Sequence, residues 1–348
     1  MLEWTAIAAA VAVGVTVAVR LVWHGIGVYR IRRAGPRGLR ASRHRIWRDP
    51  GPIDRLDLVG GPGGREGAPV SPFRFVEEHA SGSHPCVSVV DANGRRWRVK
   101  WGPEVRSEAF AVRFAWACGY FAEETYFVPS GTIDGCPELA RARDCVAADG
   151  RFSDARFEID DPKLRKLFDE HSWSWDDNPF VGTPQLNGLK IVNMLLSNWD
   201  TKDRRDVARG SNTAIFEYRI SAWKREARYL ITDWGGAMGK WGSNVVSRGR
   251  WDVAGFEGQT PAFVTGVVDG WVNFGYVGQR TSEIARGISV EDARWFCRYA
   301  SRLTEPALRD ALLACGATDD EAMRFARAII TRIAQLSDAC GAALSLAG

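Results

Sequence analysis

The sequence has no Cys-x-x-Cys, no His-Glu-x-x-His and no Gly-x-Ser-x-Gly run. Their absence excludes the common zinc spacings, the helical zinc-hydrolase motif and the serine nucleophile elbow. Histidine is scarce: the five residues 24, 44, 79, 84 and 171 form no cluster. The seven cysteines (86, 118, 136, 145, 297, 315 and 340) are odd in number and scattered. They read as reduced, largely core-filling thiols of a cytosolic protein, with a Cys136–Cys145 pair as the alternative for an exported one. A phosphate loop is also missing. Gly60–Gly64 has no strand before it or helix after it, and in Gly235–Lys240 the required first glycine is Trp234 and the required hydroxyl is Trp241. No internal repeat is present.

At 348 residues the chain is long enough for two lobes. Its net charge of +4 is uneven, because residues 1–50 hold nine Arg against Glu3 and Asp49. The remainder is slightly acidic, which argues against a nucleic-acid-binding body. Trp4 to Val19 is uncharged, and Arg20 is followed by Leu-Val-Trp23. With Arg20 snorkelling, residues 1–29 reach the roughly 20 residues that a bilayer core requires. Glu3 lies where a cleaved leader would carry basic residues, and the Arg cluster follows the apolar run. The expectation is a single-pass anchor in the inner (cytoplasmic) membrane with the body on the cytoplasmic side. Residues 30–70, Arg-rich and then Gly/Pro-rich without hydrophobic period, read as a linker, its Arg run either resting on anionic lipid head groups or simply solvated.

The body divides into a β-rich N-lobe with one helix (71–165) and a helical C-lobe (166–348). Phe73–Glu78, Cys86–Val90 and Arg95–Trp101 alternate as strands, with Asp91-Ala-Asn-Gly94 as a turn suited to positive φ. Ser81–Pro85 takes the place of a phosphate-covering loop, although it has one glycine. Glu104 to Tyr120 carries a helical apolar period. Thr183-Pro184 caps a helix that delivers Asn198-Trp-Asp200, and 212–218 with 225–232 forms a hairpin ending at Asp233. Three helices are expected beyond residue 289, over 290–301, 305–315 and 318–345.

Three elements in order carry the chemistry: Lys100 ending a strand, Asp200-Thr-Lys202 after a helix, and Asp233-Trp-Gly235 after an apolar strand. Phosphoryl transfer needs a cation on the phosphates, a carboxylate facing the acceptor hydroxyl and a carboxylate on the metal. Lys100, Asp200 and Asp233 fit those roles, with Lys202 steadying the phosphate. Glu108 is the helix acid for Lys100, with Glu104 competing. The residue five after Asp200, an Asn in the kinase run, is Arg205 here, so Asn212 is the candidate second metal ligand and Asp206 the alternative.

Trp173-Ser-Trp175, Asn178-Pro-Phe-Val-Gly-Thr183, Leu186-Asn-Gly-Leu-Lys190, Asn198-Trp-Asp-x-Lys202, Arg98-Val-Lys-Trp-Gly102 and Trp116-Ala-Cys-Gly-Tyr-Phe121 together resemble an uncharacterised bacterial group of membrane-anchored kinase-like proteins. The resemblance covers roughly residues 75–245 and extends more distantly to HipA and phosphatidylinositol kinase-type atypical kinases. It implies a two-lobed α+β atypical kinase fold using ATP and Mg²⁺ and does not supply the acceptor, for which a protein hydroxyl at the membrane is the leading expectation. Where that group reads Asp-x-Lys-x-x-Asn-Asn, this chain has Arg205 and Asp206, so a catalytically weak nucleotide-binding scaffold is the alternative.

Overall fold

In the computed structural model, residues 43–82, 84–160, 164–166, 173–200, 212–242, 248–279 and 284–346 are described. The anchor (1–29), the first part of the linker, Lys202, Arg205 and Asp206 lie outside them. No described helix is long and apolar enough to cross a membrane.

Five strands close into a barrel in the order β2-β3-β4-β6-β5: β2 (Phe73–Glu78), β3 (Cys86–Val90), β4 (Arg96–Lys100), β5 (Thr125–Asp134) and β6 (Arg151–Ile159). Their alternation places Phe73, Val87, Val89, Trp97, Val99, Phe152 and Phe157 inside as one apolar cluster. The Asp91–Gly94 turn forms as expected, with Gly94 at φ 75°. Asp91 accepts from the backbone N–H of Asn93 and Arg95 and, at 2.9 Å, from the buried indole of Trp97.

Helix α1 (Val105–Ala117) packs on the outside of β5 and β6. Its other side belongs to the larger core, with α2 (Pro184–Leu195), β8 (Thr213–Arg219), β9 (Arg225–Ile231) and the C-terminal helices α4 (Val290–Ala300), α5 (Glu305–Leu313) and α6 (Asp319–Leu346). Thr183 caps α2, its hydroxyl accepting from Leu186 N at 3.3 Å, and Ser289 forms a capping box with Asp292. A short helix α3 (Val253–Gly258) and a hairpin, β10 (Val264–Val268) with β11 (Trp271–Phe274), complete the second half.

The linker expectation is corrected from residue 43 onward. β1 (Arg43–Arg45) pairs in parallel with β9 at the edge of a sheet ordered β1-β9-β8-β7, with β7 at Leu164–Lys166. Ile46, Ile53 and Leu58 enter the large core, and Trp47 sits edge-on to Trp295 and Tyr299. These apolar anchors are irregularly spaced along coil and 3₁₀ turns, so no period announces them.

Candidate active site

On β4, Trp97 and Val99 point into the barrel, so Lys100 lies on the outer face, half-buried. The β4–β6 register sets Lys100 opposite Arg156, and the two cations share that face. α1 begins just after Lys100, bringing Glu104 at its N-cap and Glu108 one turn later to the same helix face. Buried Glu108 is ion-paired with Arg156, which also donates to Glu158 at 2.8 Å. The expected Lys100–Glu108 pair is therefore corrected. The planar guanidinium serves two carboxylates at once, which an ammonium on the neighbouring strand does not match.

β9 ends by delivering Asp233 beneath this face. Carboxylate oxygens of Glu104, Glu108 and Asp233 all lie within 4.8 Å of one another. Gly235 makes the approach possible, since a Cβ there would stand 2.5 Å from the Glu104 carboxyl carbon. Burial and the negative charge of Glu104 push the Asp233 carboxyl up, against the Gly235 N–H and the charges of Lys100 and Arg156. Glu104 goes the other way. Burial opposes its charge, but the hydrogen bond and charge of His84 and then Arg250 hold it below the usual carboxylate range. Both contacts measure 3.1 Å. His84 comes from the loop expected to cover phosphates, so that loop does reach the acid cluster.

The Asn198–Asp200 turn is fixed from several sides. Asn198 donates to Asn193 Oδ1 at 3.0 Å, Asn193 donates back to Asn198 O at 3.2 Å, and the Tyr276 hydroxyl donates to the same carbonyl. Trp199 N donates to Gly236 O at 3.3 Å, and Met238 N to Leu196 O at 2.8 Å. A Cβ on Gly236 would stand 2.9 Å from Asp200 Cβ, so the two loops touch only because that residue is glycine. Behind the turn, buried Arg332 donates to Leu195 O at 2.7 Å, Ser197 Oγ at 2.8 Å and Phe256 O at 2.6 Å. It holds the carbonyl end of α2, where a cation is favoured.

Asn212 is buried opposite Thr232, whose N–H donates to its backbone carbonyl at 2.9 Å. Its Nδ2 donates to Asp200 O at 2.6 Å, which fixes the amide orientation and leaves Oδ1 without a partner. The structure thus brings Glu108 and Asp233 together within reach of the Lys100 charge, with Asp200 against the adjoining loop and Asn212 bonded to it. Sequence reasoning missed Arg156, His84, Arg250 and Arg332. For Glu104 the signal was present, since Glu104 and Glu108 are four residues apart on the helix after the strand lysine.

Three carboxylates around one point supply the hard oxygen donors that Mg²⁺, Mn²⁺ or Ca²⁺ accept. The upward push of Glu104 on Asp233 shows what such a cation would relieve, and the unpartnered Asn212 Oδ1 is a further acceptor nearby. The residues present fit a divalent metal.

No family model matches the chain, and no curated protein matches it. Two solved structures are similar. One, described as the crystal structure of the Golgi casein kinase, has a TM-score of 0.38 and 10% identity, covering 84% of this chain and 77% of that one. The other, the Golgi casein kinase with Mn/ADP bound, has a TM-score of 0.37 and 8% identity, covering 83% and 75%.

Proposed function

We propose that the chain is an ATP- and Mg²⁺-dependent phosphotransferase of atypical kinase type, acting on a protein hydroxyl at the membrane that its N-terminal segment spans. The observation that carries this reading is the convergence of Glu104, Glu108 and Asp233 beneath Lys100, with Asp200 held beside the same loop. The three acids, with Asn212, would hold the cation, which when bound neutralises charge on the nucleotide phosphates. Lys100 supplies a second positive charge to those phosphates from β4. Asp200 accepts the acceptor-hydroxyl proton on its carboxylate, and Lys202 steadies the transferred group. His84 and Arg250 keep Glu104 ionised and turned toward Glu108 and Asp233.

A second reading has an observation of its own. Glu108 is occupied by Arg156 and not by Lys100, and Arg205 replaces the usual metal-ligating Asn, as a nucleotide-binding scaffold with little transfer would allow. Calorimetry and phosphate transfer separate the two. Asp233→Asn is expected to abolish metal-dependent nucleotide binding. Asp200→Asn is expected to keep binding and lose transfer, because a base is not required to hold the nucleotide. Wild-type binding without transfer to any protein hydroxyl favours the scaffold, and no binding with either Mg²⁺ or Mn²⁺ rejects both.

A further inference from the structure

At the end of the β1-β9-β8-β7 sheet far from Asp233, the β8–β9 hairpin carries Trp223 at its tip. It is 97% exposed, more than any other large apolar side chain among the described residues, and Ile220 beside it is 46% exposed. The tip is built rather than frayed. Ile220 N and Ser221 N donate to Lys224 O at 2.9 and 3.1 Å, and Ser221 Oγ accepts from Lys224 N at 3.1 Å. The indole is therefore presented outward on a tight turn.

Charge at this end is one-sided. The sheet acids are spent on arginines: Glu217 on Arg225 at 2.7 Å, Glu226 on Arg45 and Arg228 at 3.5 and 2.6 Å. Arg43, Arg219 and Lys224 are exposed and have no acid partner among the described residues. The strand direction adds a third observation. β1 runs parallel to β9 with Arg43 beside Glu226, so the chain before Arg43 joins the sheet at the Trp223 end. That preceding segment holds the uncharged Trp4–Val19 run and Arg20, Arg30, Arg32, Arg33, Arg37 and Arg40.

We infer that this end of the sheet docks on the surface of an anionic phospholipid bilayer, with Trp223 and Ile220 in the head-group region and Arg43, Arg219 and Lys224 against lipid phosphates. An indole with one apolar and one polar edge suits that interface, and basic residues beside a membrane segment are attracted to an anionic leaflet. A lone exposed tryptophan would need no explanation. Its coincidence with the unpaired cations and with the point where the Arg-rich segment joins the sheet is what points to lipid. β9 then acts as a spacer. Its seven residues, at about 3.3 Å each, put roughly 20 Å of strand between the turn and the loop that carries Asp233. The inference shares the membrane reading above but not the phosphotransfer chemistry.

The test uses the full chain reconstituted into phosphatidylcholine–phosphatidylserine vesicles with brominated acyl chains, which quench nearby indoles. Trp4 and Trp23 contribute equally in wild type and W223F, so the difference between the two reports residue 223. Wild type is expected to lose more emission than W223F, and the difference is expected to disappear in R219E/K224E and to shrink in phosphatidylcholine alone. Equal quenching of wild type and W223F in anionic vesicles overturns the inference and leaves the tip to a protein partner. Failure of the full chain to float with the vesicles overturns it as well. W223F should unfold at the wild-type temperature and keep metal-dependent nucleotide binding, so loss of docking and loss of the phosphotransferase reading are separable.

Discussion

Trp97 and Lys100 are three residues apart on one strand and serve opposite environments. Trp97 is sealed inside the barrel with its indole N–H satisfied by Asp91, while Lys100 and its neighbour Arg156 lie on the face that meets the carboxylates. The inner face has apolar contacts and no unmet charge. The outer face has three acids drawn together by α1 and β9, held by His84, Arg250 and Arg156. Strand pleating alone separates the two, so an apolar interior and a charged, acid-facing surface are made from alternate residues of the same segment.

If that separation is real, the largest stability loss should come from the inner face. Trp97→Ala removes a fully buried indole and one of the donors to the Asp91 carboxylate, for an expected cost of about 3–5 kcal/mol. Denaturant unfolding checks it, and a loss within the range of a surface substitution would mean that the barrel interior is not the packed core described here.

Arg156→Met tests the outer face. It leaves Glu108 buried without its counter-charge, and breaking a buried pair in this way costs on the order of 3–5 kcal/mol. Here the two faces part company, because a divalent cation can replace the lost charge on the outer face and cannot help the inner one. Adding Mn²⁺ should raise the melting temperature of R156M by more than that of wild type, and should leave W97A no better than wild type. Equal metal responses in all three would remove the acid cluster as a cation site.

Protons should distinguish the faces too. The folded-state pKa of Asp233 is raised by burial and Glu104, so the folded protein holds more protons than the unfolded chain above the ordinary carboxylate value. Stability from this group therefore falls as pH rises through that window, and the penalty stands in full above the raised pKa. Glu104 contributes with the opposite sign, since its lowered pKa gives stability that is lost as pH falls. Asp233→Asn should accordingly raise the metal-free melting temperature at neutral pH by a few degrees, with the gain vanishing at acid pH. Mn²⁺ should stabilise wild type more strongly as pH rises, and D233N not at all.

The inner face was the more legible of the two in the sequence. Alternation in 86–90 and 96–100, the Asn93-Gly94 turn, the Thr183 cap and the hairpin ending at Asp233 are local patterns, and each appears where expected. The outer face depends on partners far apart in sequence. Arg156, in the middle of a strand, reads as an ordinary solvent-facing residue until β4 and β6 are paired. Residues 43–58 read as linker because their anchors follow no period, and the β10–β11 hairpin went unseen because Gly266 interrupts its alternation. Lys100, Asp200 and Asp233 were nameable because each ends or shortly follows a regular element, where local sequence speaks most clearly.

The smallest effect should come from Asn212, which lies at the edge of the outer face. Its Nδ2 steadies the Asp200 carbonyl, while its unpartnered Oδ1 is the part that a metal role would use. Asn212→Ala removes both, at a stability cost of about 0.5–1.5 kcal/mol for the single hydrogen bond. Asn212→Asp separates the two functions, because it keeps an acceptor, adds charge and loses the donor to Asp200 O. If Asn212 completes the cation site, N212D should bind Mn²⁺ as well as wild type or better while N212A binds more weakly, both measured by calorimetry. If Asn212 only holds the Asp200 turn, both variants lose the donor, their Mn²⁺ affinities stay close to wild type, and only phosphate transfer falls. The metal site would then be limited to Glu104, Glu108 and Asp233.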